Sequence, residues 1–196
     1  MTSKLKTDVL ETVSGSGTIA LTNQLSGMTA ASMPSGSVLQ VVSTTYTGTI
    51  SSTSATPVDV SGFSATITPS STSSKILVSV DTQIGWDTGD AYPYVLLLRG
   101  STSIGTGVGA SGVQINTFIS APNLSGNDTT TSQYKMESAS KAYLDSPATT
   151  SSTTYKIQFA QPFGGYAAFI NRQSNQTNNA YVQYPASTIT LTEIKG

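Results

Sequence analysis

The stretch STITLTEI at 187–194 puts Ile189 and Leu191 on one side of an extended chain and Thr188, Thr190 and Thr192 on the other. A side-chain period of two belongs to a β-strand, because successive Cβ atoms of a strand point to opposite faces. The same alternation marks 18–22, 38–47, 63–68, 75–85, 94–99, 113–120, 133–144, 154–161 and 167–171. Turn-forming clusters separate these runs: TPSSTSS at 68–74, Gly89-Asp90, Pro122-Asn123, SGND at 125–128 and Gly164-Gly165. No segment carries the 3.6-residue period of an amphipathic helix. Ten short strands punctuated by Gly, Pro and Ser predict an all-β chain folded as an antiparallel sandwich or jelly roll.

The first 34 residues have a different texture. Two short strand-like pieces flank SGSG at 14–17, and MPSG at 33–36 reads as a linker. The expected organisation is an extended or hairpin segment over 1–34, followed by a sandwich domain over 35–196. The apolar side chains of the leading segment, among them Leu5, Val9, Leu10, Ile19 and Leu21, are too few for a core of their own. They suit pairing with strands or grooves offered by a partner.

Composition removes whole classes of function. Charged residues make up 10% of the chain and the net charge is −1. Nucleic-acid binding, which needs a basic surface to neutralise phosphates, is therefore not expected. Histidine and cysteine are both absent. That excludes disulfides, Ser-His and Cys-His dyads, and the usual zinc ligand sets. MTSKLKTDVLETVSGSG at the start lacks the apolar run of a signal peptide, and the longest apolar run elsewhere is YVLLL at 94–98. A soluble chain with no membrane insertion and no export signal of its own is expected. Ser and Thr supply about a third of the residues, and apolar types only 37%. A core so lean gains from burial between subunits.

Three motifs resemble active sites. GVGASG at 107–112 fits G-x-G-x-x-G, but the residues after it, VQINTFI, alternate like a strand, whereas a dinucleotide site needs a helix N-terminus there. Asp87-Thr88-Gly89 matches the aspartic-protease triplet without a second apolar loop to pair with it. Asp87 and Asp90 are of the right type for calcium, yet their number and spacing are those of ordinary turn residues. The ten acidic residues contain no pair that spacing singles out for glycoside hydrolysis. No catalytic residue, cofactor or metal site is expected, and the chain reads as non-enzymatic.

One loop stands apart. Between 171 and 184 it gathers Asn171, Arg172, Gln173, Asn175, Gln176, Asn178, Asn179, Tyr181 and Tyr184. Planar amides and a guanidinium can match hydroxyls or carboxylates, and tyrosine rings give a rigid stacking face. The loop is the candidate receptor-binding surface.

Several stretches carry a family resemblance: LKTDVL at 5–10, GTIAL at 17–21, GSVLQVV at 36–42, SGFSATITPSSTSSKILV at 61–78 and ASTITLTEI at 186–194. Together they resemble virion structural proteins, usually tail-fibre-like, of phages that infect aquatic bacteria. The C-terminal part of that family resembles the trimeric jelly roll of the tumour necrosis factor and complement globular-head type. The resemblance implies a homotrimeric tail-fibre, head-fibre or capsid-decoration protein located in the virion. Its leading segment would hold other virion proteins through Leu5, Val9, Leu10, Ile19 and Leu21. Its jelly-roll head would either serve host adhesion, with a host surface glycan as the partner, or act as capsid decoration without receptor binding, a polysaccharide depolymerase being the third alternative. It also implies that the last strand runs inside a sheet beside strands from early in the chain, with Ile189 and Leu191 in the trimer core.

Overall fold

The computed structural model describes residues 29–87, 91–109, 111–121, 132–162 and 165–196. The chain divides into two compact units, Met1–Met33 and Pro34–Gly196. In the first, the described part is a 3-10 turn at Ala30–Ser32, where the Ser32 hydroxyl donates to the Thr29 carbonyl (2.8 Å). The leading segment with Leu5, Val9, Leu10, Ile19 and Leu21 lies outside the described residues, as do Thr88, Gly89 and Asp90.

The second unit is an all-β sandwich. Its strands are β1 (Val38–Tyr46), β2 (Ile50–Ser52), β3 (Val58–Ile67), β4 (Lys75–Trp86), β5 (Tyr94–Arg99) and β6 (Thr102–Ile104), then β7 (Ile119–Ser120), β8 (Met136–Asp145), β9 (Thr153–Ala160), β10 (Ala168–Ile170) and β11 (Ser187–Ile194). One sheet runs β1-β11-β4-β10-β2, with β8 on the other edge of β4; the second runs β3-β9-β5-β6, with β7 also paired to β5.

The connectivity is that of a jelly roll. Four antiparallel pairs nest in the sequence: β1 with β11, β3 with β9, β4 with β8, and β5 with β6. Moving inward, successive pairs fall alternately in the first and second sheet. Each sheet is then completed by bonding between pairs, β11 to β4 and β9 to β5. A long four-rung hairpin rolled across two sheets gives this order.

Alternation builds the core. In β4 every even-numbered residue from Ile76 to Trp86 is buried, and in β11 Ser187, Ile189, Leu191 and Glu193 are. These meet Phe63, Ile67, Val95, Leu97, Tyr155, Ile157 and Phe159 from the facing sheet. In β3 the register with β9 slips between Asp59 and Ser64, where Gly62 takes φ +85°, a left-handed conformation open to glycine.

Ile189 and Leu191 correct one expectation. Both are fully buried between the two sheets of a single chain, so neither reaches a subunit interface. The outward side of β11 carries Thr188, Thr190, Thr192 and Ile194 instead. The run at 113–120 is a second correction. Only Ile119–Ser120 forms a strand, paired with β5, and the Phe118 N–H donates to the Val95 carbonyl (3.0 Å), while Val113 is 98% exposed.

Two buried carboxylates hold the sandwich closed. Asp145, at the end of β8, accepts from Arg99 Nη1 (2.8 and 2.9 Å) and from the Tyr155 hydroxyl (2.7 Å), both in the opposite sheet. Burial and the Asp145 hydrogen bond push the Tyr155 phenol well above its ordinary value, so it remains a donor. Glu193 accepts from the Ser70 backbone N–H and hydroxyl (each 2.7 Å) and from Gln40 Nε2 (2.6 Å). Gln40 Nε2 also reaches the Thr68 carbonyl (2.8 Å). The serine-rich turn at 68–74 is thus tied to β11 and β1 through one side chain.

Burial raises the Glu193 pKa, but its hydrogen bonds from the serines and Gln40 outweigh that and leave it below 4.5. A carboxylate depressed in the folded state stabilises fully above its unfolded pKa and progressively less as pH falls through its folded one. Glu193→Gln should cost about 1–3 kcal/mol at pH 7. Thermal melts from pH 7 to pH 3 should show its deficit against wild type shrinking below about pH 4.5. Leu191→Asp should cost at least about 3 kcal/mol and unfold the chain rather than merely separate subunits. Circular dichroism at high dilution distinguishes the two.

Candidate recognition surface

The 171–186 loop leaves and rejoins one line of the first sheet. Ile170 pairs with Ile84, the Asn171 N–H donates to the Gln83 carbonyl (2.9 Å), and Thr188 pairs with Asp81. The loop is therefore an excursion between β10 and β11, both of which pair with the same edge of β4.

Its base is pinned by amides that the sequence presented as surface groups. Asn171 is fully buried at φ +59°, a region asparagine tolerates better than most residues. Its Nδ2 donates to the carbonyls of Tyr46 (2.8 Å) and Gly48 (3.0 Å), and its Oδ1 accepts from the Ser187 hydroxyl (2.6 Å). That hydroxyl has one proton, so the Thr82 hydroxyl 3.3 Å away serves as donor to it. Gln173, 5% exposed, donates through Nε2 to the Tyr134 carbonyl and accepts through Oε1 from the Gln183 N–H (3.1 Å). Asn175 donates to Gln133 Oε1 (3.1 Å) and to the Tyr134 hydroxyl (3.2 Å), and accepts from the Thr177 N–H and hydroxyl.

Arg172 is also occupied. Its guanidinium lies 4.0 Å from the centre of the Phe169 ring, and Nη1 donates to the Gln173 carbonyl (3.1 Å). Burial lowers its pKa from the ordinary value of 12.5, and the Tyr184 side chain works against that. The loop backbone lies close over Gly85: a Cβ built there would fall 2.3 Å from the Arg172 carbonyl oxygen.

The rim is what remains. Gln176, Asn178, Asn179, Tyr181 and Tyr184 are exposed, the last two at 73% and 59%. Tyr181 packs edge-on against Tyr134, ring centres 6.4 Å apart. A shallow depression of about 220 Å³ lies among Gln176, Thr177, Asn178, Asn179, Val182 and Tyr184. Of the nine residues picked out from the sequence, the structure thus places Asn171, Arg172, Gln173 and Asn175 in the scaffold. The other five form the rim.

A second depression, of about 330 Å³, has no counterpart in the sequence reading. Tyr92, Pro93, Tyr94, Ile115 and Pro162 are among the residues that line it, at the start of β5. The signal available in the sequence was the pair of tyrosines around Pro93. The G-x-G-x-x-G stretch leads into a turn, in which the Gln114 N–H donates to the Ser111 carbonyl (3.1 Å). Over 113–121, the described residues that directly follow it, no helix is present to bind a pyrophosphate. Among the described residues no group of three or more acidic side chains is placed to hold a metal ion, and no helix is long and apolar enough to cross a membrane. No family model matches the chain, and no curated protein matches it.

Gly85→Ala must displace the loop backbone. It should cost about 1–3 kcal/mol and speed amide exchange at Asn171, whereas Gln176→Ala should leave the melting curve within about 0.5 kcal/mol of wild type. Hydrogen exchange with thermal melts measures both.

Proposed function

We propose that this chain is a non-enzymatic phage virion protein, a homotrimeric fibre or head-fibre component. Residues 1–34 attach it to other virion proteins, and the jelly roll is displayed for host adhesion. The observation that carries the proposal is the outward face of the first sheet. On β1, β11 and β8 the outward positions, including Val41, Ser43, Thr190, Ala142 and Leu144, hold no charge. On β4, which lies between β11 and β8, the outward charges are Lys75 and Asp81 alone. Val41 is 58% exposed and Leu144 50%. The face is knit together by Ser43 to Thr190 (2.9 Å) and by the Ser138 hydroxyl donating to Gln83 (2.7 Å). A sheet face with so little charge and with apolar side chains left in water gains by meeting copies of itself. This face takes the role first expected of Ile189 and Leu191.

The non-enzymatic reading draws on how the titratable groups are spent. Asp145 is held by Arg99 and Tyr155, Asp59 by Lys156 (2.6 Å) and Gln158 (2.8 Å), and Glu193 by Ser70 and Gln40. Each closes a structural joint. The stretches that resemble virion proteins, 36–42, 61–78 and 186–194, fall on β1, β3 with the 68–74 turn and the start of β4, and β11. They are parts that build the head.

Light scattering should give three times the chain mass of 20.3 kDa. Val41→Asp combined with Leu144→Asp should yield a folded monomer, since both side chains already face solvent. A wild-type monomer would overturn the trimer. Mass spectrometry of purified phage particles should detect the chain, and Leu5→Asp with Val9→Asp and Leu10→Asp should abolish its incorporation. Absence of the wild-type chain from particles would overturn the virion assignment.

A further inference from the structure

We propose that Gln176, Asn178 and Tyr184 form a subsite for the terminal unit of a neutral saccharide. This deepens the adhesion reading above and rests on it.

The first ground is the division of labour among the loop's amides. Asn171, Gln173 and Asn175 are spent on backbone and side-chain partners at the base. Asn179 is spent within the loop, accepting from the Tyr181 N–H (3.0 Å) and donating to the Thr177 hydroxyl (2.6 Å). The side chains of Gln176 and Asn178 make no hydrogen bond among the described residues. An unspent amide offers a donor and an acceptor side by side in one plane, which suits a pair of neighbouring hydroxyls.

The second ground is size and wall chemistry. Sites that engulf a small molecule measure about 300–1,000 Å³, so a depression of about 220 Å³ takes one end of a longer chain. Tyr184, 59% exposed, lines it and supplies a rigid ring for the apolar C–H face of a sugar.

The third ground is charge. None of the lining residues is charged; Arg172, whose charge interacts with Tyr184, lies over the Phe169 ring and donates one N–H to the Gln173 carbonyl. A sialic or uronic acid would bring a carboxylate to a site with no cation among its lining residues, and would leave much of its hydration unreplaced. The selected ligand is uncharged. The base holds the loop backbone before binding, so the ordering cost on association falls on the rim side chains alone.

The test uses the full chain on a glycan array displaying neutral hexose- and N-acetylhexosamine-terminated oligosaccharides beside sialylated and uronic-acid-bearing ones. Multivalent display lets a weak single site register. Binding to a subset of the neutral glycans is expected. Tyr184→Ala, and Gln176→Ala with Asn178→Ala, should each weaken it by about tenfold or more, with melting temperature and oligomer mass unchanged. Gln158→Ala, on the opposite sheet, should leave binding intact. No neutral glycan bound, acidic glycans alone bound, or binding unmoved by the rim variants would each overturn the subsite. Particle incorporation is scored on the same variants. If the chain loads onto virions yet binds no glycan, the subsite fails and the structural role stands; if it is absent from particles, the adhesion reading fails first.

Discussion

A twelve-residue strand with both edges hydrogen-bonded fixes almost everything else. β4 meets β11 and β10 along one edge and β8 along the other, from Lys75 to Trp86. A strand so placed has no freedom of register, since a slip of one residue would turn Ile76, Val78, Val80, Ile84 and Trp86 out of the core. The nested pairs of the jelly roll then depend on which neighbours β4 accepts. The loop rim inherits its position from the same strand, because Gln83 anchors Asn171 and Gly85 lets the loop backbone approach.

Buried polar groups do the joining that a lean apolar core leaves undone. Asp145 reaches from one sheet to two partners on the other. Glu193 gathers a turn and the first strand. Asn171 joins the β1–β2 connection to the base of the long loop. Each is a small polar network with its acceptors filled, so the desolvation cost is matched by hydrogen bonds, and removal of one member leaves the others orphaned. The Ser- and Thr-rich composition fits this economy. Hydroxyls fill acceptors at turns, and threonine suits the outward side of a strand.

The long strands were legible because alternation and burial agree in them. β4, β5, β9 and β11 each lie within a residue or so of the span that their pattern predicts. β2 and β6 were not legible: three residues such as Ile50–Ser52 carry no period, and they are strands only because β10 and β5 offer free edges. The 113–120 run shows the converse, an alternation that runs on well beyond Ile119–Ser120, the residues paired with β5. Alternation at Ile189 and Leu191 marked the face of β11 that is buried but held no information on whether a second sheet or a second subunit would cover it. In the loop, Asn171 and Asn178 are the same residue type in the same polar stretch. Only the fold makes one a buried strut and the other a free rim group.

The division between base and rim has a consequence for how such a head can change. Substitutions at the side chains of Gln176, Asn178 or Tyr184 disturb no internal hydrogen bond among the described residues, so they alter chemistry at the surface without touching the struts beneath. Substitutions at Asn171, Gln173 or Gly85 act through the sheet itself. The outward sheet face is separate again. Its exposed residues Val41 and Leu144 lie on β1 and β8, and neither belongs to the loop or to the sandwich core. The exposed sheet face and the loop rim therefore consist of different side chains. A sandwich built this way can change its rim or its outward face while its core packing stays constant, because the three are separate sets of residues and contributions from separate sites add independently.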